Sequence, residues 1–95
     1  MKELRRLKMT PEMISLHRGV NESSNIVRAR LRSQRVSWEH YDYSDPAVIR
    51  AEGEHEDQSI AFWDLVHKEY GDIIENRSVS AAWGSNELVV MDQKW

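Results

Sequence analysis

Arg28, Arg32 and Arg35, together with Asn25, are the residues whose types and spacing carry a definite chemistry. On a helix turning about 100° per residue they fall within an arc of roughly 80°, so three guanidinium groups and a carboxamide project from one side. Arginines in such an array neutralise phosphates or read guanine edges, and asparagine pairs with adenine. Ser23 and Ser24, at the start of the same helix, add hydroxyl or N–H donors for a phosphate. Val27 and Leu31 lie on the other side, where a core would take them. Arg30 falls nearer that apolar side, with a stem that can be buried while its head stays in water. The residues thus describe a helix over 23–35 with one cationic face and one buried seam, and DNA is the partner that face fits. The competing account is a solvated face that balances carboxylates elsewhere in the chain, since exposed charged faces are common.

Charge is divided unevenly along the 95 residues. Residues 1–40 hold nine Lys and Arg against four Asp and Glu, and residues 41–95 hold four against twelve. Such a split offers a basic face to an anionic partner, or lets the two halves attract one another within one fold.

The elements that must position these residues follow from caps, periodicity and turn signals. Residues 2–8 suit either a short helix or an edge strand. Thr10-Pro11-Glu12 starts a helix, with Thr capping, Pro in the first turn and Glu complementing the dipole. Gly19 reads as its stop, and Asn21-Glu22-Ser23-Ser24 as caps for the second helix. Val36 to Tyr43 is extended or turning, with Trp38, Tyr41 and Tyr43 expected in the core rather than on a recognition surface. Asp45-Pro46 starts a short helix to Glu52, and Gly53 to Asp57 forms a polar connection. Residues 58–70 make an amphipathic helix with Ile60, Trp63, Val66, His67 and Tyr70 at helical spacing, flanked by Ala61, Phe62 and Leu65 in a wide apolar stripe, and interrupted at Gly71. Val79 to Trp83 and Glu87 to Met91 read as two strands joined by Gly84-Ser85-Asn86. The fold class expected is α+β, a small single domain over residues 1–95 with about four helices and a C-terminal β-hairpin.

The stretch Ile14-Ser-Leu-His-Arg-Gly19-Val20-Asn-Glu-Ser-Ser-Asn-Ile26-Val27-Arg-Ala-Arg-Leu31-Arg resembles the helix-turn-helix of phage-borne DNA-binding proteins and transposase-like regulators. In that family a glycine-valine turn separates a positioning helix from an arginine-rich recognition helix. Val36-Ser37-Trp38-Glu39 and Asp45-Pro46 are similar to elements that trail some of these motifs, so the resemblance covers residues 14–46. It implies a small DNA-binding regulatory protein of the phage or mobile-element type. Such a chain would dock its basic helix in the major groove, two copies at a time as a homo-oligomer, with Trp95 docked on the body or in the subunit interface.

A second function class suits the same sequence. An interaction or inhibitor protein of a phage or mobile element would bind a host protein complex through its acidic or aromatic surface, by charge mimicry. No enzyme is expected: there is no nucleophile elbow or phosphate-cradling glycine loop. No metal or other cofactor is expected either. Cysteine is absent, His17, His40, His55 and His67 include no i, i+4 pair, and the run Glu52 to Asp57 lacks the spacing of a calcium loop. The chain carries no apolar run of roughly 18 residues and no signal-peptide pattern, so a cytoplasmic protein with no membrane partner is expected.

Overall fold

The computed structural model describes residues 2–82 and 84–94. In chain order it contains strand β1 (Glu3–Lys8), helix α1 (Pro11–Arg32), a single 3-10 turn (Trp38–His40), helix α2 (Pro46–Ile74), and strands β2 (Arg77–Ala81) and β3 (Glu87–Lys94). The α+β class expected from the sequence fits, but the expectation of about four helices is overturned: two long helices accompany one three-stranded antiparallel sheet. The chain groups into two compact units, Met1–Ser15 with Trp63–Trp95, and Leu16–Phe62.

The first unit is built on the sheet, whose order is β1-β3-β2. The central strand is the most apolar, as a strand flanked on both sides requires. Leu88 and Val90 are fully buried, and Val89 nearly so. The register sets Leu7 and Ala81 on either side of Leu88, and Val79 beside Val90, so apolar pairs line one face. Residues 2–8, open to two readings above, include an edge strand. Met9 N–H donates to the Asn86 carbonyl at 3.0 Å and Asp92 N–H to the Lys2 carbonyl at 2.9 Å, bracketing the β1–β3 pairing. Glu3, Arg5, Arg6 and Lys8 are exposed on β1, and charges of this kind discourage further edge pairing.

The expected hairpin is present with shifted boundaries. β2 begins at Arg77 and β3 continues to Lys94, and Gly84 and Asn86 in the connection take left-handed φ values of 73° and 52°. Trp83, expected at the end of the first strand, lies outside the described residues, as does Trp95. Met9, Met13, Val66 and Ile74 are the other buried apolar residues of this unit among the described residues. Tyr70 of α2 donates its hydroxyl to the Lys8 carbonyl at 2.6 Å. Tyr70→Phe removes that partner from the end of β1 and is expected to lower unfolding free energy by about 0.5–1.5 kcal/mol in urea denaturation.

The second unit is an antiparallel helical hairpin. Three pairs mark its seam: the His17 and Phe62 rings at 5.1 Å, Gly19 against Gln58, and Ser23 with His55. As the α1 number rises the α2 number falls. Leu31, Val48, Ala51 and Phe62 are its buried apolar residues. The connection between the helices is tied at its base by Gln34. Its amide donates to the Asp42 carbonyl at 2.8 Å, and its oxygen accepts the Asp42 N–H at 2.7 Å.

The extra helix ends expected from sequence are absent for one physical reason. The sequence pattern marks Gly19, Gly53 and Gly71 as stops or connections, yet all three lie inside helices. A glycine inside a helix costs about 1 kcal/mol relative to alanine, which burial along a long seam can offset. At Gly19 the absence of a side chain has a use: an added Cβ would stand 2.9 Å from Gln58 Oε1. Gly53 has no such neighbour, with nothing within 4 Å of a Cβ placed there. Gly53→Ala is therefore expected to stabilise the protein by about 0.5–1 kcal/mol, read as a raised thermal midpoint.

The wide apolar stripe expected on α2 is buried only in part. Phe62 and Val66 are buried, whereas Ile60 is 51% exposed and His67 is exposed. In the helical unit the seam with α1 covers the Phe62 side of the stripe and leaves Ile60 at its edge.

Candidate nucleic-acid interface

The expected helix over 23–35 is the C-terminal part of α1, and the segment Gly19 to Ser24, where a turn was expected, is helical throughout. This changes the membership of the cationic face. Ser23 is 4% exposed and points into the hairpin. Its hydroxyl donates to the Val20 carbonyl at 2.9 Å, and its oxygen lies 3.0 Å from His55 Nδ1. With the serine proton committed to Val20, the contact is served by His55 donating from Nδ1. Ser24 is half-buried and lies in mid-helix, so its N–H belongs to the helix ladder rather than to a free N-terminus.

Arg35 also leaves the array. α1 ends at Arg32, and Arg35 takes φ 57°, a left-handed conformation beyond the helix. An uninterrupted helical phase does not extend to it. Asn25, Arg28 and Arg32 remain, all exposed on α1. Leu31 is buried and Val27 half-buried on the other side, as their spacing implied, while Arg30 is exposed.

Continuity of α1 adds two residues that the expected turn had separated from this face. Arg18 and Asn21 are exposed, and at 100° per residue Arg18, Asn21, Asn25, Arg28 and Arg32 share an arc of roughly 80°. Their spacing of three and four residues was the signal in the sequence, hidden by reading Gly19 as a stop. No carboxylate falls inside that arc; Glu22 lies just beside it. Among the described residues the ion pairs are Arg6 with Glu3 and Glu87, and Arg77 with Glu75. None of the five α1 residues takes part in them, so the arginines of the stripe are not tied to carboxylates of the described residues.

Comparison with family models, curated proteins and solved structures finds no match to this chain.

Beyond the stripe, the connection carries the most exposed aromatic side chains among the described residues. Trp38 is 74% exposed and Tyr43 56% exposed, which overturns their expected place in the core, while Tyr41 is half-buried. The loop is too short and too polar to fold over them: Ser33, Gln34, Arg35, Ser37, Glu39 and His40 supply no apolar cover. Asp42 is held by Ser44, whose N–H and hydroxyl both donate to Oδ1, at 2.9 and 2.5 Å. These bonds, the hydroxyl first, hold its carboxyl below the ordinary value of 3.8. A depressed carboxylate contributes stability above its ordinary value and loses it as pH falls through the lowered one. Ser44→Ala is expected to raise the Asp42 titration midpoint toward the ordinary value, as followed by carboxyl NMR shifts.

The acidic run Glu52 to Asp57, expected to be a connection, is helical, and its four carboxylates are exposed. Among the described residues no three His, Asp or Glu side chains are grouped to hold a metal ion. No helix of the described residues is long and apolar enough to cross a membrane.

Proposed function

We propose that the protein binds double-stranded DNA by laying the exposed face of α1 into the major groove, as a small regulatory protein of the cytoplasm. The observation that carries this reading is the stripe of Arg18, Asn21, Asn25, Arg28 and Arg32, exposed along one helix and free of internal ion pairs among the described residues. A helix fits the roughly 12 Å width of that groove. From residue 18 to residue 32 the stripe runs about 21 Å along the axis, the rise of about six base pairs. The guanidinium groups supply phosphate neutralisation and guanine recognition, and the two asparagines supply adenine recognition. The resemblance to helix-turn-helix proteins supports the reading only through the arginine-rich helix, since the turn itself is replaced by continuous α1.

An electrophoretic shift with mixed duplex DNA tests it. Retention is expected at about 50 mM salt and should be largely lost by about 200 mM, as counterion release demands. No retention at the lower salt would rule the reading out.

One observation favours a second reading, a protein that binds a host complex through an acidic surface. Glu52, Glu54, Glu56 and Asp57 are exposed on α2 and take part in none of the ion pairs among the described residues. Such a surface attracts a basic partner. Charge reversal at these four positions would then abolish partner capture from a lysate, and nuclease treatment would leave it unchanged.

A further inference from the structure

The sheet ends in two edges of unlike character. On β1 the charged residues Glu3, Arg5, Arg6 and Lys8 are all exposed, and charge along an edge discourages another strand from joining it. On β2 the sequence is Arg77-Ser78-Val79-Ser80-Ala81, so Arg77 is its one charge. That guanidinium is already held by the Glu75 carboxylate at 2.8 Å, ahead of the strand. β2 itself thus lacks the protection that β1 has.

The backbone groups on the free side of β2 follow from the ladder. In an antiparallel pair, successive residues aim their N–H and carbonyl alternately toward and away from the neighbouring strand. The Ala82 N–H donates to the Glu87 carbonyl at 2.9 Å, so Ser80 aims toward β3 while Val79 and Ala81 aim away from it. Among the described residues no hydrogen bond reaches those outer groups. The side chains obey the other alternation. Val79 and Ala81 share the face of Val90 and Leu88, where Val79 is only half-buried, and Ser78 and Ser80 stand on the opposite face.

Charge and pattern identify the occupant of this edge as a second copy of the same strand. Laid antiparallel on itself about Val79, β2 sets Val79 against Val79, Ser78 against Ser80 and Arg77 against Ala81. Val79 exchanges both backbone bonds with its counterpart, and Arg77 does so with Ala81. The apolar row through Val90 and Val79 then continues into the second sheet, covering Val79, while the serines pair on the other face. No charge meets a like charge, since the two Arg77 residues lie about 14 Å apart along the ladder. The pairing uses the same edge of both copies and leaves the charged β1 edges outside, so it closes at two. We propose that β2 is the contact between two copies of this chain, joining two three-stranded sheets into one continuous sheet. The proposal is independent of DNA binding.

The test measures self-association of the full chain by sedimentation equilibrium from about 1 μM to about 1 mM. The native protein should pass from monomer to dimer within that range and form nothing larger. Two double variants probe the register. Ser78→Lys with Ser80→Lys sets like charges opposite one another in both serine pairs and should weaken the dimer by about tenfold. Ser78→Lys with Ser80→Glu sets opposite charges there and should hold the dimer at least as tightly as the native chain. Both variants share the first substitution, so a folding defect from it would appear in each, and circular dichroism checks this. Amide exchange locates the contact: the Val79 and Ala81 N–H groups should be protected in the native dimer and exchange freely in the two-lysine variant.

A chain that stays monomeric throughout the range overturns the proposal. So does a dimer that the two-lysine variant leaves intact, or one whose Val79 and Ala81 amides remain unprotected, because another surface then joins the copies. Protection of those amides only after a lysate protein is added also overturns it, and assigns the edge to a foreign strand.

Discussion

Replacing Arg18, Arg28 and Arg32 together by alanine is expected to lower affinity for duplex DNA by about two to three powers of ten near 0.1 M salt. Each guanidinium that neutralises a phosphate contributes about 0.9 to the slope of log affinity against log salt. Three of them contribute roughly 2.7, and between about 1 M and 0.1 M salt that slope alone amounts to the stated loss. The slope is the more telling measurement, because a merely misfolded variant would lose affinity without a defined change in it. Misfolding is not expected. All three side chains are exposed, none is in an ion pair among the described residues, and alanine is the best helix former. A salt slope unchanged in the triple variant would remove the stripe from the interface.

The largest stability effect is expected at Phe62. Its side chain is 1% exposed and its ring lies 5.1 Å from that of His17, tilted by 46°. Phe62→Ala deletes a whole aromatic ring from a closed site, at a cost of about 3–5 kcal/mol from lost transfer energy and the cavity left behind. Set against the roughly 5–15 kcal/mol of a small domain, that is a large share of the total. Ile60→Ala provides the internal comparison. Ile60 sits two residues away and is 51% exposed, so its truncation is expected to cost under about 1 kcal/mol. Urea denaturation of the two variants separates the buried side of the α2 stripe from its exposed edge. Equal losses at positions 60 and 62 would mean that the helix is rotated from the orientation described.

Both helix starts were legible because a cap is a local event. Thr10 Oγ1 accepts the Met13 N–H at 3.2 Å and Asp45 Oδ1 accepts the Ala47 N–H at 2.9 Å, with Pro11 and Pro46 opening the helices as their fixed φ favours. The β2–β3 hairpin was legible for a similar reason: the turn-forming triplet Gly84-Ser85-Asn86 stands between a segment carrying Val79 and one carrying Val89 and Val90. Three of the five residues of the candidate interface were also legible, since the spacing of Asn25, Arg28 and Arg32, with Leu31 opposite, is itself a helical period. Arg18 and Asn21 were hidden from it by the break expected at Gly19, and Ser23 and Arg35 were joined to it by a helix expected over 23–35.

The sequence by itself determined the first residues of both helices, the hairpin, and a helix with arginines on one side and Leu31 on the other, because each depends on neighbours a few residues apart. Only the tertiary structure decided that α1 and α2 run unbroken through Gly19, Gly53 and Gly71, that Ser23 turns inward to His55, and that Trp38 stands in solvent. Those outcomes depend on which surfaces meet across long stretches of chain. A glycine's local preference to end a helix is worth about 1 kcal/mol. The burial gained by continuing is summed over partners that sequence spacing does not reveal.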